Sequence, residues 1–243
     1  MINSIKDFIR TFRILLIRLR AKHCKTMLLA DRILIVAPHP DDEVIGCSGL
    51  IQRAISQGKQ LYICVLTGGE ASHLSCCNLS EDELKKQRLT LTKTIDTQLG
   101  ILPQHLYFLN FPDGHIHHSH KESKSLEKIL KQINPDVIYI PHQKGEGWSD
   151  HIEAGNIIKE LIKGTTIQLY EYCVWFWYYN VWTLDWKNAC ILRQSPKERQ
   201  NKLQAIHDYI TPLAPCGKPY SGVLPKVFIW GNQWKNELYF KLK

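Results

Sequence analysis

RILIVAPHPDDE, residues 32–43, decides the fold and holds the first signs of chemistry. Residues 33–37 are an unbroken apolar run, the length and character of a strand buried on both faces. Pro38 and Pro40 turn the chain, and Val44 to Gln57 then predict a helix. His39, Asp41 and Asp42 therefore fall at a strand's carboxyl end, where open α/β sheets bind ligands. Imidazole and carboxylate are common ligands of catalytic zinc, which takes three protein donors and leaves a position for water. The turn offers two such donors, so a third must come from elsewhere. The same residues would also suit a plain turn followed by a helix N-cap.

A second turn of this kind, GEGWSDH at residues 145–151, follows the apolar strand 136–140 and precedes a helix over 152–163. His151 is thereby a candidate to join His39 and Asp42 around one metal, with Asp41 left free beside the open position. Further strands are expected at 60–67, 105–110 and 167–174, and further helices at 81–98 and 121–132. The alternation means βαβ units. The expected fold class is α/β: a Rossmann-like open, mostly parallel sheet with helices on both faces, in a single domain. Beyond residue 175 come an aromatic stretch (WFWYYNVW), a short strand near 189–193, a helix near 196–209, a Pro/Gly-rich loop and a final strand near 237–242. These extend the same domain.

At 243 residues and 44% hydrophobic, the chain can bury a substantial core. Its eight cysteines, among them the adjacent Cys76 and Cys77, have no Cys-x2-Cys spacing, which points to reduced thiols in a cytoplasm. Residues 1–28 stand apart from the domain at 29–243. There Ile5, Phe8, Ile9, Phe12, Leu15, Leu16 and Leu19 are interleaved with Lys6, Arg10, Arg13, Arg18, Arg20, Lys22 and Lys25. No run is apolar enough for a membrane span. A basic amphipathic helix of this kind either associates peripherally with an anionic membrane, at its inner face, or packs on the domain or on a second subunit. The net charge of +8 sits largely in this segment and no nucleic-acid module is visible, so nucleic acid is not an expected partner. The histidines at 115, 117, 118 and 120 read as a solvated connector.

Strand-His39-Pro40-Asp41-Asp42-Glu43 followed far downstream by Asp150-His151-x3-Gly155 resembles the PIG-L/LmbE-like zinc-dependent de-N-acetylase family. The likeness covers most of residues 31–240. It is strengthened by Thr67-Gly68-Gly69-Glu70, Arg88, Pro112-Asp113-Gly114 and Tyr170-Glu171-Tyr172, in that order. The resemblance implies Zn2+ held by His39, Asp42 and His151, with Asp41 as general base. It implies Arg88 and Asp113 at the sugar hydroxyls, and Glu43 and Glu70 as orienting groups. The implied substrate is an N-acetylated amino sugar of the N-acetylglucosamine type within a larger glycoconjugate, lipid-linked in one version, with acetate released. The alternatives are the same chemistry on another acyl amine, or a metal-containing glycan or lipid binder without turnover.

Two departures stand out. Trp148 replaces the histidine that many relatives use to stabilise the oxyanion, so His142 becomes the expected substitute donor, and Asp150 loses its usual partner. Leu91 stands where relatives often place a glutamate. The aromatic run Trp175, Phe176, Trp177, Tyr178, Tyr179 and Trp182 is expected to form either a sugar-contacting wall or core.

Overall fold

The computed structural model describes residues 5–73, 78–179 and 181–242; the Cys76–Cys77 pair lies outside the described residues. The decisive strand, β2 (Arg32–Ala37), is buried on both faces, as its apolar run requires. Ile33, Ile35 and Ala37 enter one core together with Ile45, Leu50 and Ile51 of α2 (Asp42–Ser56). Leu34 and Val36 enter the other, with Leu126 and Leu130 of α4 (Lys121–Ile133) and Ile157 and Ile158 of α5 (Ser149–Leu161). The period-two alternation of a strand thus sorts one apolar run into two layers.

The other strands are β1 (Lys25–Thr26), β3 (Gln60–Val65), β4 (Leu106–Phe108), β5 (Val137–Pro141), β6 (Gln168–Tyr172), β7 (Ala189–Arg193) and β8 (Asn236–Lys241). They form one sheet in the order β1-β7-β8-β6-β5-β2-β3-β4. β6, β5, β2, β3 and β4 run parallel, and among the described strands only β8 is antiparallel to its neighbours. From β2 the chain goes outward to β3 and β4, then returns to place β5 on the other side. The carboxyl ends of β2 and β5 therefore flank the point where the winding reverses, the ligand-binding position of such sheets.

α3 (Glu81–Gln98) begins in a capping box built from Ser80 and Glu83. α6 (Pro196–Ile210) does the same with Ser195 and Glu198, and packs on α2 and α3. β4 is shorter than expected from 105–110, because its last residues leave the strand. Leu109 and Phe111 still donate backbone N–H groups to Val65 and Leu66. The segment read as a Pro/Gly-rich loop contains a short helix, α7 (Lys226–Asn232), which packs against the Trp175–Trp177 turn.

The amino-terminal helix, α1 (Ile5–Ala21), lies on the domain. Ile14, Ile17 and Ala21 are buried with Phe176, Trp177 and Phe240. The buried Arg13 donates to the carbonyls of Val181 (2.7 Å) and Phe176 (2.9 Å). Arg10 donates to Tyr178 and Arg18 to Trp230 and Gly231. No helix among the described residues is long and apolar enough to cross a membrane.

Candidate metal centre and its cleft

The turn between β2 and α2 is held from several sides. Leu66 and Thr67 donate backbone N–H groups to Ala37 and Pro38, and the Thr67 hydroxyl also donates to Pro38. α2 starts two residues earlier than its apolar pattern suggested, with Asp42 and Glu43 in the first turn, where carboxylates suit the positive end of the helix dipole. Asp41 immediately precedes the helix with φ 109°, one of two non-glycine residues with positive φ among the described residues. Asp is among the few side chains that tolerate such a backbone. Glu43 braces it, accepting the Asp41 N–H on one oxygen and the Tyr209 hydroxyl (2.6 Å) on the other. Burial pushes the Glu43 carboxyl up to about 7.

Asp42 Oδ2 accepts the His39 backbone N–H and lies 3.3 Å from His39 Nδ1. His151, in the first turn of α5, places Nε2 3.3 Å from the same oxygen and 3.2 Å from His39 Nδ1. Three donor atoms thus form a nearly equilateral triangle. A tetrahedral ion with bonds of about 2.0–2.1 Å separates its ligand atoms by about 3.3 Å, so the set fits a small divalent metal.

The far nitrogens are also engaged. His39 Nε2 lies 3.1 Å from Asp113 Oδ1 and 3.3 Å from Asp150 Oδ2. Those carboxylates are themselves anchored: Asp113 accepts from Ala71 N–H, and Asp150 from Gly114 and Ile116 N–H. His151 Nδ1 lies 3.2 Å from Glu146 Oε2, off the in-line hydrogen-bond direction. Glu146, fully buried, accepts the backbone N–H groups of Val174, Trp175 and Phe176. Carboxylates behind both imidazoles fix the ring orientations, as in metal sites generally. A second grouping, His39 with Asp113 and Asp150, also has metal-compatible spacing, but it uses the nitrogen of His39 that points away from Asp42 and His151.

The electrostatics favours positive charge at the triangle. Burial alone would depress both imidazoles. Asp113, Asp150 and Asp42 nevertheless hold His39 well above the usual histidine value, and Asp42 and Glu146 lift His151 to about 9. Burial opposes the charge of Asp42 too, yet His151 and His39 hold its carboxyl far below the ordinary carboxylate range. Burial lifts Asp41 well above that range, with Arg88 pulling the other way and Asp42 and Glu43 adding repulsion. A carboxyl tuned upward is suited to taking and returning a proton near neutrality.

The centre opens into a cleft of about 350 Å³ lined by His39, Asp41, Asp42, Arg88, Asp113 and Asp150 on its polar side. Ile45, Trp148, Trp175, Leu224 and Phe228 line the apolar side. Trp148 stands edge-on to Trp175, ring centroids 5.6 Å apart. Arg88 is fixed by donating to the carbonyls of Gly69 (2.8 Å) and Pro40 (2.9 Å), with Asp41 Oδ2 at 3.4 Å. Gly69 is required here, since its φ is +67° and a Cβ would collide with the Arg88 guanidinium. Glu70 ties the rim together by accepting from Gly68 and Asp113 N–H.

The structure brings His39, Asp41, Asp42, His151, Arg88, Asp113 and Asp150, all named from the sequence, to one place. His142 is the exception. Its ring packs against Phe176 and Phe240, its Nδ1 accepts from Lys144 N–H, and burial pushes it down to about 4. It sits with these rings beneath α1 and does not line the cleft, so its placement gives no support to the oxyanion-donor role expected of it. Leu91 belongs to the apolar packing around Val44 and Tyr209. The aromatic run divides: Trp175 lines the cleft, while Phe176 and Trp177 are core beneath α1. The role of Glu146 was not foreseen; its only sequence signal is an acid between two glycines in the second turn.

A family model described as GlcNAc-PI de-N-acetylase matches residues 34–162. Among curated relatives, diacetylchitobiose deacetylase of Thermococcus kodakarensis is 26% identical over 151 residues, covering 61% of this chain and 55% of that protein. A probable N-acetylglucosaminyl-phosphatidylinositol de-N-acetylase of Dictyostelium discoideum is 28% identical over 142 residues, 56% of this chain and 51% of that one. The chain spans about half the length of these relatives. Among solved structures, N,N'-diacetylchitobiose deacetylase from Pyrococcus horikoshii superposes with a TM-score of 0.60 at 22% identity, covering 86% of this chain and 79% of that one.

Proposed function

The chain belongs to the GlcNAc-PI de-N-acetylase family, and on that premise we propose that it is a zinc-dependent hydrolase removing the acetyl group from an N-acetylated amino sugar of the N-acetylglucosamine type. The observation that carries this reading is the triangle of His39, Asp42 and His151 donor atoms, with edges of 3.2–3.3 Å, opening beside Asp41 into an aromatic-walled cleft. When bound there, zinc supplies a water of lowered pKa and polarises the acetamide carbonyl.

The protein's own groups do the rest. Asp41 takes a proton as the water oxygen bonds to the carbonyl carbon. It returns the proton to nitrogen as the C–N bond breaks, leaving acetate and a free amine. Asp150 holds the His39 ring. Asp113 keeps acceptor capacity for a sugar hydroxyl, since His39 and Ala71 use only part of its roughly four lone-pair sites. Arg88, rigidly held, presents its charge to the same side. Trp148 and Trp175 offer faces on which a pyranose ring packs. The proposed setting is the cytoplasm at the inner face of a membrane. The basic α1 with its exposed apolar face supports the membrane part.

The test is acetate release from N,N'-diacetylchitobiose and from lipid-linked N-acetylglucosamine by zinc-loaded protein, beside Asp41→Asn. Wild-type turnover falling about 10²–10⁴-fold in the variant, at unchanged zinc content, is expected. No release from either substrate with zinc bound would refute the reading.

A further inference from the structure

α1 has two apolar faces and the domain covers only one. At 100° per residue, Ile5, Phe8, Ile9, Phe12, Leu15, Leu16 and Leu19 share an arc of roughly 120°, opposed by Ile14, Ile17 and Ala21. The inner three are buried, whereas the outer seven are 40–81% exposed. A contiguous stripe of this size on a water-facing helix is unusual and marks an interaction surface.

The surroundings of the stripe say what covers it. Trp182, 55% exposed, lies on one flank in a shallow groove with Leu16 and Arg20. Trp230, 37% exposed, lies on the other flank with Leu15, Leu19, Lys22, Arg199 and Lys235. Lys6, Arg20, Lys22, Arg199 and Lys235 are all exposed. The one acid in α1, Asp7, is paired with Arg10. A second copy docking through the same face would bring these cations against their counterparts. An anionic headgroup layer neutralises them, while indoles prefer the boundary between headgroups and acyl chains.

We propose that the outer face of α1, with Trp182 and Trp230 on its flanks, is a preformed docking surface for an anionic lipid bilayer. The arginines that an amphipathic peptide would turn to lipid are engaged differently here. Arg10, Arg13 and Arg18 donate to domain carbonyls and hold the helix in place. Docking thus needs no release or refolding of α1. The surface is also close to the cleft: α7 carries Trp230 toward the lipid side and Phe228 into the cleft lining. The inference rests on α1 and stands or falls apart from the deacetylase reading.

The experiment is co-sedimentation of the zinc-loaded protein, residues 1–243, with vesicles of phosphatidylcholine alone or mixed with phosphatidylglycerol, alongside sedimentation velocity without lipid. Wild type is expected to bind the anionic vesicles at least about tenfold more tightly than the neutral ones, with binding weakened by salt. Phe12→Ser/Leu16→Ser is expected to lose binding while keeping the wild-type far-ultraviolet circular dichroism. A second pair, Ile9→Ser/Leu19→Ser, serves should the first fail to fold. Wild type left in the supernatant with anionic vesicles, or a folded Ser pair binding as wild type does, would overturn the proposal. A lipid-free dimer that both Ser pairs dissolve would assign the face to a second copy instead.

Discussion

Asp41 is constrained twice, by its position next to the proposed metal ligands and by a left-handed backbone that most side chains resist. Asn shares that tolerance, so Asp41→Asn removes the carboxylate without disturbing the turn. His142 is held instead by buried packing against Phe176 and Phe240 and by the Lys144 N–H. Its folded pKa is about 4, below the unfolded value near 6.5. Between these values the unfolded chain binds the proton and the folded one does not. Stability is therefore intact above about pH 6.5 and declines as pH falls toward 4, by at most about 3 kcal/mol. His142→Ala is expected to retain acetate release while flattening this part of the acid limb, as read from urea midpoints across that range. An unchanged limb with turnover abolished would contradict the placement of His142.

At the scale of elements, α2 is fastened by Glu237 of β8. This one carboxylate accepts the N–H groups of Gly49 (2.8 Å) and Leu50 (3.0 Å), the Gln194 amide (3.1 Å), the Tyr239 hydroxyl (2.8 Å) and the buried Lys202 ammonium (2.8 Å). Glu237→Ala leaves Lys202 buried without its partner and is expected to cost about 3–5 kcal/mol in urea unfolding, although it is not part of the cleft. A loss under about 1 kcal/mol would mean that water replaces it. No local pattern announces Glu237, because all but one of its partners lie on other elements. The same holds for α7, whose seven residues are too few for a periodic signal and which is stabilised by packing such as that of Phe228 on Trp175. β2, α2, β5 and α5 were legible because apolar runs of strand and helix length encode them locally. The triangle of His39, Asp42 and His151 was legible because two short motifs carry it. The joint grip of Asp113 and Asp150 on His39 was not, since it depends on where the loop after β4 falls.

For the molecule as a whole, the centre gathers Asp42, Asp150, Glu146 and His151, all buried, around one point. Such a group is more stable with a cation among its members. Zinc at about 100 times its dissociation constant should stabilise the fold by about 2.7 kcal/mol. In a chain of this size that corresponds to a rise in melting temperature of about 5–10 °C. Scanning calorimetry of chelator-stripped protein with and without Zn2+ reads this directly, and an unmoved transition would argue against a resident ion.

Glu146 has a consequence for anyone redesigning what the cleft accepts. It grips the backbone that carries Trp175 and stands behind His151, a proposed metal ligand, so the aromatic wall is not modular. Reshaping the 174–176 segment to admit a bulkier ligand would tug on His151 and trade specificity against the proposed site's hold on a metal. Trp148, half-exposed and outside that grip, is the safer place to retune what the cleft accepts.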